Sequence, residues 1–109
     1  DFNAWREGQL ALPPAPANPG IAQGSALFAA RCASCHTVAG TPAGGIVGPD
    51  LSHLASRATL AAGTIPNDAE HLGAWIADPA AVKPGVLMPK VPTTAAERAQ
   101  VVAYLQSLT

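Results

Sequence analysis

The sequence has few aromatic and few charged residues: aromatic residues make up 5% of its 109 positions and charged residues 12%. The formal net charge is -1, so there is no basic field of the kind that attracts nucleic acid. No apolar run is long enough to span a bilayer and no signal peptide is recognisable. Two cysteines do not make a disulfide framework. The length predicts one small domain, and little bulky apolar material is available for its core.

Both cysteines fall in one pentapeptide, Cys32-Ala33-Ser34-Cys35-His36. Cys-x-x-Cys-His is the attachment signature of c-type haem. On a helical turn, residues three apart share a face, so both thiols can reach the vinyl groups on one edge of a porphyrin. The alternatives are a dithiol redox pair, which usually follows a strand in a βαβ unit, and half of a zinc site, whose second ligand pair is missing. A covalently bound haem would also supply the missing apolar core.

Two residues are predicted to bind the iron. His36 directly follows the second cysteine, which makes it the proximal ligand. Met88, the only methionine, stands between Leu87 and Pro89 in a proline-rich stretch, where a thioether can close the sixth iron position and raise the reduction potential. His53 and His71 are the rival candidates for that position.

Three further residues are predicted to contact or support the haem. The Pro49 carbonyl can accept the second ring N–H of His36, which fixes the tautomer of a ligating imidazole; otherwise Pro49 is an ordinary turn proline. The Arg57 guanidinium can pair with a haem propionate, although most arginines are simply exposed. Trp75 belongs to the core, where its indole N–H needs a partner.

The periodicity predicts an all-α fold, with no repeats and no strand alternation. Residues 11–20 read as a proline-rich linker, with a domain boundary near Gly20; an ordered arm over the domain surface is the alternative. The predicted helices cover residues 23–33, 67–78 and 94–108, and residues 51–63 are predicted to form a helix or a helical turn closed by Gly63. We expect Asn67 with Glu70, and Thr94 with Glu97, to form capping boxes. The glycine-rich segment 37–50 and the proline-rich segment 79–92 are predicted to be loops.

The order of these features resembles class I c-type cytochromes. The residues that carry the resemblance are Gly24, Phe28, Cys32, Cys35, His36, Gly48, Pro49, Met88, Tyr104 and Leu105. The resemblance implies a few helices wrapped around one covalently bound haem c. It also implies that the first and last helices of the domain cross at Gly24.

Two stretches, HTVAGTPAGGIVGPDLSHLASRATLAAG and LGAWIADPAAVKPGVLMP, are similar to the cytochrome c domain of subunit II of caa(3)-type cytochrome oxidases. The resemblance implies that residues 1–10 are the end of a copper domain, 11–20 the linker and 21–109 the cytochrome c domain. It places the domain on the outer, periplasmic face of a bacterial membrane, where it accepts electrons from a donor cytochrome c or bc-type complex and passes them to the copper centre. The implied partners are the copper domain and other oxidase subunits.

This chain has no catalytic residues of its own in that interpretation and no copper ligand set. A freely diffusing cytochrome c and a haem peroxidase are the competing functions. The proline linker argues against the first, and Met88 argues against the second because a peroxidase needs an open sixth position. Lys83 and Lys90 are candidates for touching the donor, or else are solvated surface lysines.

Overall fold

Helices dominate the computed structural model, which describes residues 1–109. The helices are α1 (Phe2–Leu10), α2 (Pro19–Arg31), α3 (Ala69–Ala77), α4 (Pro79–Val82) and α5 (Ala95–Gln106). One 3₁₀ turn spans Leu54–Ser56, and strands β1 (Thr59–Leu60) and β2 (Ile65–Pro66) pair antiparallel. The all-α prediction is confirmed. None of the helices combines the length and the hydropathy needed to cross a membrane.

Helices α2 and α5 cross at Gly24, as expected. A Cβ placed on Gly24 would collide with the Gln100 carbonyl oxygen and lie 2.8 Å from the Tyr104 Cβ. The two helices therefore approach each other more closely at Gly24 than any residue with a Cβ would permit. Next to it the rings of Phe28 and Tyr104 pack with their centroids 5.7 Å apart, an offset, tilted geometry that aromatic pairs favour.

The core lies between α2, α3, α5 and the loops that follow α2. The apolar side chains on the inner faces of α3 and α5 are buried, namely Leu72, Ile76, Val101, Tyr104 and Leu105, and so is Leu108 just beyond α5. Thr94 and Glu97 form the predicted capping box, with both reciprocal hydrogen bonds present. This part of the sequence-based prediction is confirmed.

The first helix of the domain begins earlier than predicted. It starts at Pro19 rather than at residue 23, because the Asn18 side chain caps the Ile21 amide at 3.0 Å and Pro19 stands at the first helical position, where proline is pre-organised. Residues 19 and 20 thus belong to the helix and not to the extended linker. Ahead of the linker, every residue of α1 is exposed, including Phe2 and Trp5.

The segment 51–63 is not a continuous helix, and of the two predicted alternatives only a short helical turn is present. It forms the 3₁₀ turn and then a hairpin whose tip has positive φ at Ala61, Ala62 and Gly63. The Asn67 side chain donates to the carbonyls of Leu54 at 2.8 Å and Arg57 at 2.9 Å, so it holds the 3₁₀ turn and is not a helix cap.

The other corrections concern α3 and α4. Asp68 caps α3 by accepting the His71 amide at 2.8 Å, in place of the predicted Asn67. Pro79 does not begin a loop: it is buried at the first position of the short helix α4. Asp78 separates the two helices, because its extended conformation (φ -157°) interrupts the helical backbone.

Candidate haem-attachment site

The Cys-x-x-Cys-His pentapeptide lies on the turn that ends α2. The Cys32 amide continues the helical pattern by donating to the Phe28 carbonyl at 2.8 Å, and the amides of Cys35 and His36 both donate to the Cys32 carbonyl. Both thiols are free and half-buried. This turn places two thiols three residues apart, followed at once by an imidazole, as covalent attachment of a haem requires.

Two glycines of the following loop hold this turn from the other side. The Gly45 amide donates to the carbonyls of Ala33 at 3.1 Å and His36 at 3.2 Å, and a Cβ there would lie 2.5 Å from the Cys35 backbone. A Cβ on Gly48 would lie 2.5 Å from His36 Cε1. The sequence pattern predicts a loop here and singles out Gly48 through the resemblance, but it does not indicate contact of either glycine with the pentapeptide. The high number of glycines within one short loop is the sequence signal for this contact, since close approach of two backbone segments needs residues without Cβ.

His36 is buried, and its ring is fixed by one hydrogen bond. Nδ1 lies 2.8 Å from the Pro49 carbonyl oxygen, which can only accept, so Nδ1 carries the proton. Nε2 keeps its lone pair, makes no hydrogen bond within the protein and is not among the buried unpartnered atoms. The predicted hydrogen bond between His36 and Pro49 is thus present, and the free nitrogen is the one that a metal would use.

The burial of Cys32 bears on the alternative functions of the two thiols. Desolvation raises the pKa of the Cys32 thiol, although the neighbouring Arg31 charge acts in the opposite direction. Burial of Cys32 therefore does not favour the thiolate that a reactive redox cysteine needs. Cys32, Cys35 and His36 also do not converge as a cluster that could hold one metal ion. The arrangement of the two thiols and the imidazole fits attachment of each to a different atom of one planar group.

Asp50 and Arg57 lie beside Pro49. The pKa of Asp50 is held below its ordinary value, first by the hydrogen bond from the Ser52 hydroxyl and then by that from the Ser52 amide. The Arg57 guanidinium is exposed and donates to the Asp50 carbonyl oxygen at 2.5 Å. Arg57 therefore lies next to Pro49, whose carbonyl oxygen is the hydrogen-bond partner of His36 Nδ1. The remaining N–H groups of the Arg57 guanidinium have no protein partner.

Of the other predicted site residues, two are half-buried and two have a ring nitrogen within hydrogen-bond distance of another protein atom. Met88 is half-buried in the irregular segment between α4 and α5, and Trp75 is half-buried on α3 with no protein partner for its indole N–H. His53 Nδ1 lies 2.8 Å from the Thr109 carbonyl oxygen. His71 Nδ1 lies 2.7 Å from Asp68 Oδ1. The pKa of Asp68 is lowered first by the hydrogen bond from the His71 amide and then by this side-chain contact.

Three large aliphatic side chains of the domain are almost fully exposed: Ile46 at 90%, Val47 at 85% and Leu87 at 97%. Ile46 and Val47 stand between Gly45 and Gly48, the two glycines that contact the pentapeptide, and Leu87 precedes Met88. Ile46 and Val47 are not among the residues that the sequence motifs single out. An isoleucine-valine pair inside a loop of small residues is the signal that was available.

Comparison with known proteins places these features in a family. The family model described as Cytochrome c matches residues 21–109. Cytochrome c oxidase subunit 2 of Alkalihalophilus pseudofirmus (strain ATCC BAA-2126 / JCM 17055 / OF4) is 36% identical over 110 residues, covering 99% of this chain and 31% of that protein. Cytochrome c oxidase subunit 2 of Bacillus sp. (strain PS3) is 34% identical over 88 residues, covering 77% of this chain and 24% of that protein.

The chain thus spans less than a third of the length of these relatives. The family match, by contrast, extends from the first turns of α2 to the end of the chain and includes the whole attachment turn. Free thiols at Cys32 and Cys35 and a free Nε2 on His36 fit the covalent cofactor of that family. The chain therefore belongs to the cytochrome c family and carries haem c.

Proposed function

We propose that this chain is the haem c domain of a respiratory terminal oxidase subunit II, which accepts electrons from a donor cytochrome c or bc-type complex and delivers them to the oxidase copper centre. One observation carries the link to an oxidase. The similarity to the A. pseudofirmus subunit covers 99% of the chain, so it includes α1 and the linker, which lie outside the cytochrome c match at residues 21–109. The exposed α1 would then be the end of the copper domain.

In this proposal Cys32 and Cys35 would hold the haem through thioethers, and His36 and Met88 would bind its iron. When bound, haem c supplies a one-electron carrier. The hydrogen bond between Nδ1 and the Pro49 carbonyl would hold the His36 ring in the orientation and tautomer that leave the Nε2 lone pair free for a metal. Burial of the His36 ring would keep water away from Nε2, and the Met88 thioether would close the iron to other ligands.

Arg57 and Trp75 are proposed to bind the haem propionates. The Arg57 fork has N–H groups left over after its bond to the Asp50 carbonyl, and the Trp75 indole N–H has no protein acceptor. A propionate oxygen would satisfy both, since charge-assisted bonds to a carboxylate are among the stronger hydrogen bonds.

The proposed location is the outer, periplasmic face of a bacterial membrane, within an oxidase complex. Partners on the acceptor side are the copper domain and other oxidase subunits. On the donor side, Lys83 and Lys90 are the lysines available to contact the donor, because the chain contains no others. No part of this proposal involves nucleic acid.

The test is the size and location of the native haem protein. An antibody against residues 21–109, combined with a haem stain on a denaturing gel, should detect one membrane-bound polypeptide about three times as long as this chain, as its 31% share of the relative implies. It should co-purify with oxygen-consuming activity. A haem-stained soluble protein near 10.9 kDa would instead identify a freely diffusing carrier.

A further inference from the structure

Ser52 has an unusual environment for a serine in a small domain. Ser52 and His36 are the two polar side chains that the fold buries, with exposures of 5% and 8%. The Ser52 hydroxyl both accepts and donates a hydrogen bond: it accepts from the Ala39 amide at 2.7 Å and donates to Asp50 Oδ1 at 2.6 Å. Asp50 Oδ1 also accepts from the Ser52 amide at 2.8 Å, which closes a tight turn.

These bonds join the two segments that carry the His36–Pro49 pair. Ala39 lies just after His36 and Asp50 directly follows Pro49, so the Ser52 hydroxyl connects one segment to the other. The Leu51 amide, which donates to the Thr37 carbonyl at 2.8 Å, is the second connection between the same segments. The Pro49 carbonyl lies within this closed ring of bonds, with its oxygen 2.8 Å from His36 Nδ1.

We infer that Ser52 is a positioning residue for the proximal histidine, acting through Asp50 and the Pro49 carbonyl. The inference rests on the proposed function, because it takes His36 as the iron ligand. A carbonyl held on Nδ1–H makes the imidazole a stronger base toward the metal, which favours the ferric state. Loosening the carbonyl should weaken this bond, and the reduction potential should rise.

Other serines of the chain do not share this arrangement. The hydroxyls of Ser56 and Ser107 each donate to the carbonyl three residues earlier, within their own turns. The Ser52 hydroxyl instead bonds a residue 13 positions away. Ser56→Ala is therefore a matched control that removes a local serine hydroxyl and leaves the ring of bonds around Pro49 intact.

The experiment compares the holoproteins of wild type, Ser52→Ala, Ser52→Thr and Ser56→Ala. Ser52→Ala should change the one-electron equilibrium with a fixed redox partner at least threefold toward the ferrous state, or about 28 mV at 59 mV per tenfold. Solvent exchange of the His36 Nδ1 proton, followed by NMR in the ferrous protein, should become about tenfold faster. Ser52→Thr should restore much of both values, and Ser56→Ala should match wild type.

A second pair of variants covers the case in which Ser52→Ala fails to mature. Asp50 is exposed, so Asp50→Ala removes the acceptor without opening a cavity and should speed Nδ1 proton exchange. Asp50→Asn keeps an acceptor oxygen and removes only the charge, so its exchange rate should stay near that of wild type.

Two outcomes would overturn the inference. In the first, Ser52→Ala changes neither the reduction potential nor the solvent exchange of the His36 Nδ1 proton, and only the Ala39 amide proton exchanges faster. Ser52 would then be a purely structural residue. Equal exchange in Asp50→Ala and Asp50→Asn would lead to the same conclusion. Failure of the proposed function looks different: the His36 ring protons of the wild type would then show no haem ring-current shift, and both proposals would be wrong.

Discussion

His36 shows at the scale of one residue how the chain prepares a ligand. Its two ring nitrogens have different environments: Nδ1 lies 2.8 Å from the Pro49 carbonyl and Nε2 is free. The glycine at position 48 allows the loop to pack against the ring, because any side chain there would lie 2.5 Å from Cε1. The fold therefore fixes the tautomer and the orientation of the ring that leave Nε2 free to bind a metal.

Covalent attachment is the most direct prediction at this scale. The free thiols of Cys32 and Cys35 should both form thioethers, so acid-acetone extraction should leave the haem with the protein. The intact mass should equal the polypeptide plus one haem. Cys32→Ala and Cys35→Ala should each leave a single thioether. Release of haem from the wild type on extraction would contradict the attachment.

The sixth iron ligand is testable through its spectrum. The oxidised protein should show a sulfur-to-iron charge-transfer band that Met88→Ala abolishes. His71→Ala is the matched control and should keep the band, since His71 is engaged with Asp68. Met88→His should lower the reduction potential, because the softer thioether favours ferrous iron more than an imidazole does. A band that persists in Met88→Ala would show that another residue is the ligand.

Asp50 makes stability depend on pH. Its pKa in the folded protein lies below the ordinary value because Ser52 donates two hydrogen bonds to it. The stabilisation is therefore present above the unfolded pKa of about 4 and is lost as pH falls through the lower, folded pKa. Asp50→Asn should lower the urea midpoint at neutral pH, and its difference from wild type should shrink below about pH 4.

Asp78→Asn is the control, since Asp78 makes no side-chain hydrogen bond at its helix end. A gap between Asp50→Asn and wild type that stays constant from neutral to acid pH would mean that Asp50 contributes no pH-dependent stability.

At the scale of elements, the crossing of α2 and α5 depends on Gly24. Gly24→Ala should lower the free energy of unfolding by about 1–3 kcal/mol, the usual cost of overpacking, because its Cβ would collide with the Gln100 carbonyl. Gly73→Ala is the matched control on α3: its Cβ would lie 3.9 Å from Val102, an ordinary contact. That variant should be stabilised by up to about 1 kcal/mol through helix propensity.

Chemical denaturation of both holoproteins, with the haem content of each preparation measured, checks the comparison. An unchanged or higher free energy of unfolding in Gly24→Ala would show that α2 and α5 do not approach closely at Gly24.

The elements also show where sequence patterns suffice. Helix α5 was predictable, because its capping residues and buried stripe are local signals that agree with each other. The segment 51–63 was not, since its alanines favour a helix while tertiary contacts decide otherwise: Asn67 holds the 3₁₀ turn and the hairpin tip puts Ala61 and Ala62 at positive φ. Similarly, Cys32, Cys35, His36 and Pro49 follow from a motif, whereas the role of Ser52 depends on contacts across the fold.

At the scale of the whole molecule, the charge distribution limits how the domain can attract a donor. The formal net charge is -1 and there are two lysines, Lys83 and Lys90, so long-range steering should be weak. Ile46, Val47 and Leu87 are exposed beside the loops that carry the proposed ligands, with Ala39 and Val86 half-buried nearby in sequence. In the proposed function, a tether to the copper domain would supply a high effective concentration on the acceptor side, so charge attraction to that domain would not be needed.

We therefore expect the contact between the domain and its donor to be small, largely apolar and short-lived, and to include the exposed Leu87 side chain. Stopped-flow oxidation of a donor cytochrome c by the ferric domain should give rates that change little between low and physiological salt. Leu87→Asp should slow the reaction, whereas Leu10→Asp, which alters an exposed leucine of α1, should not. Charge steering predicts a different pattern: a rate that falls about tenfold over that salt range and no effect specific to Leu87. Because the salt series and the matched leucine variants vary charge and apolar area separately, agreement between them would identify Leu87 as part of an apolar docking surface.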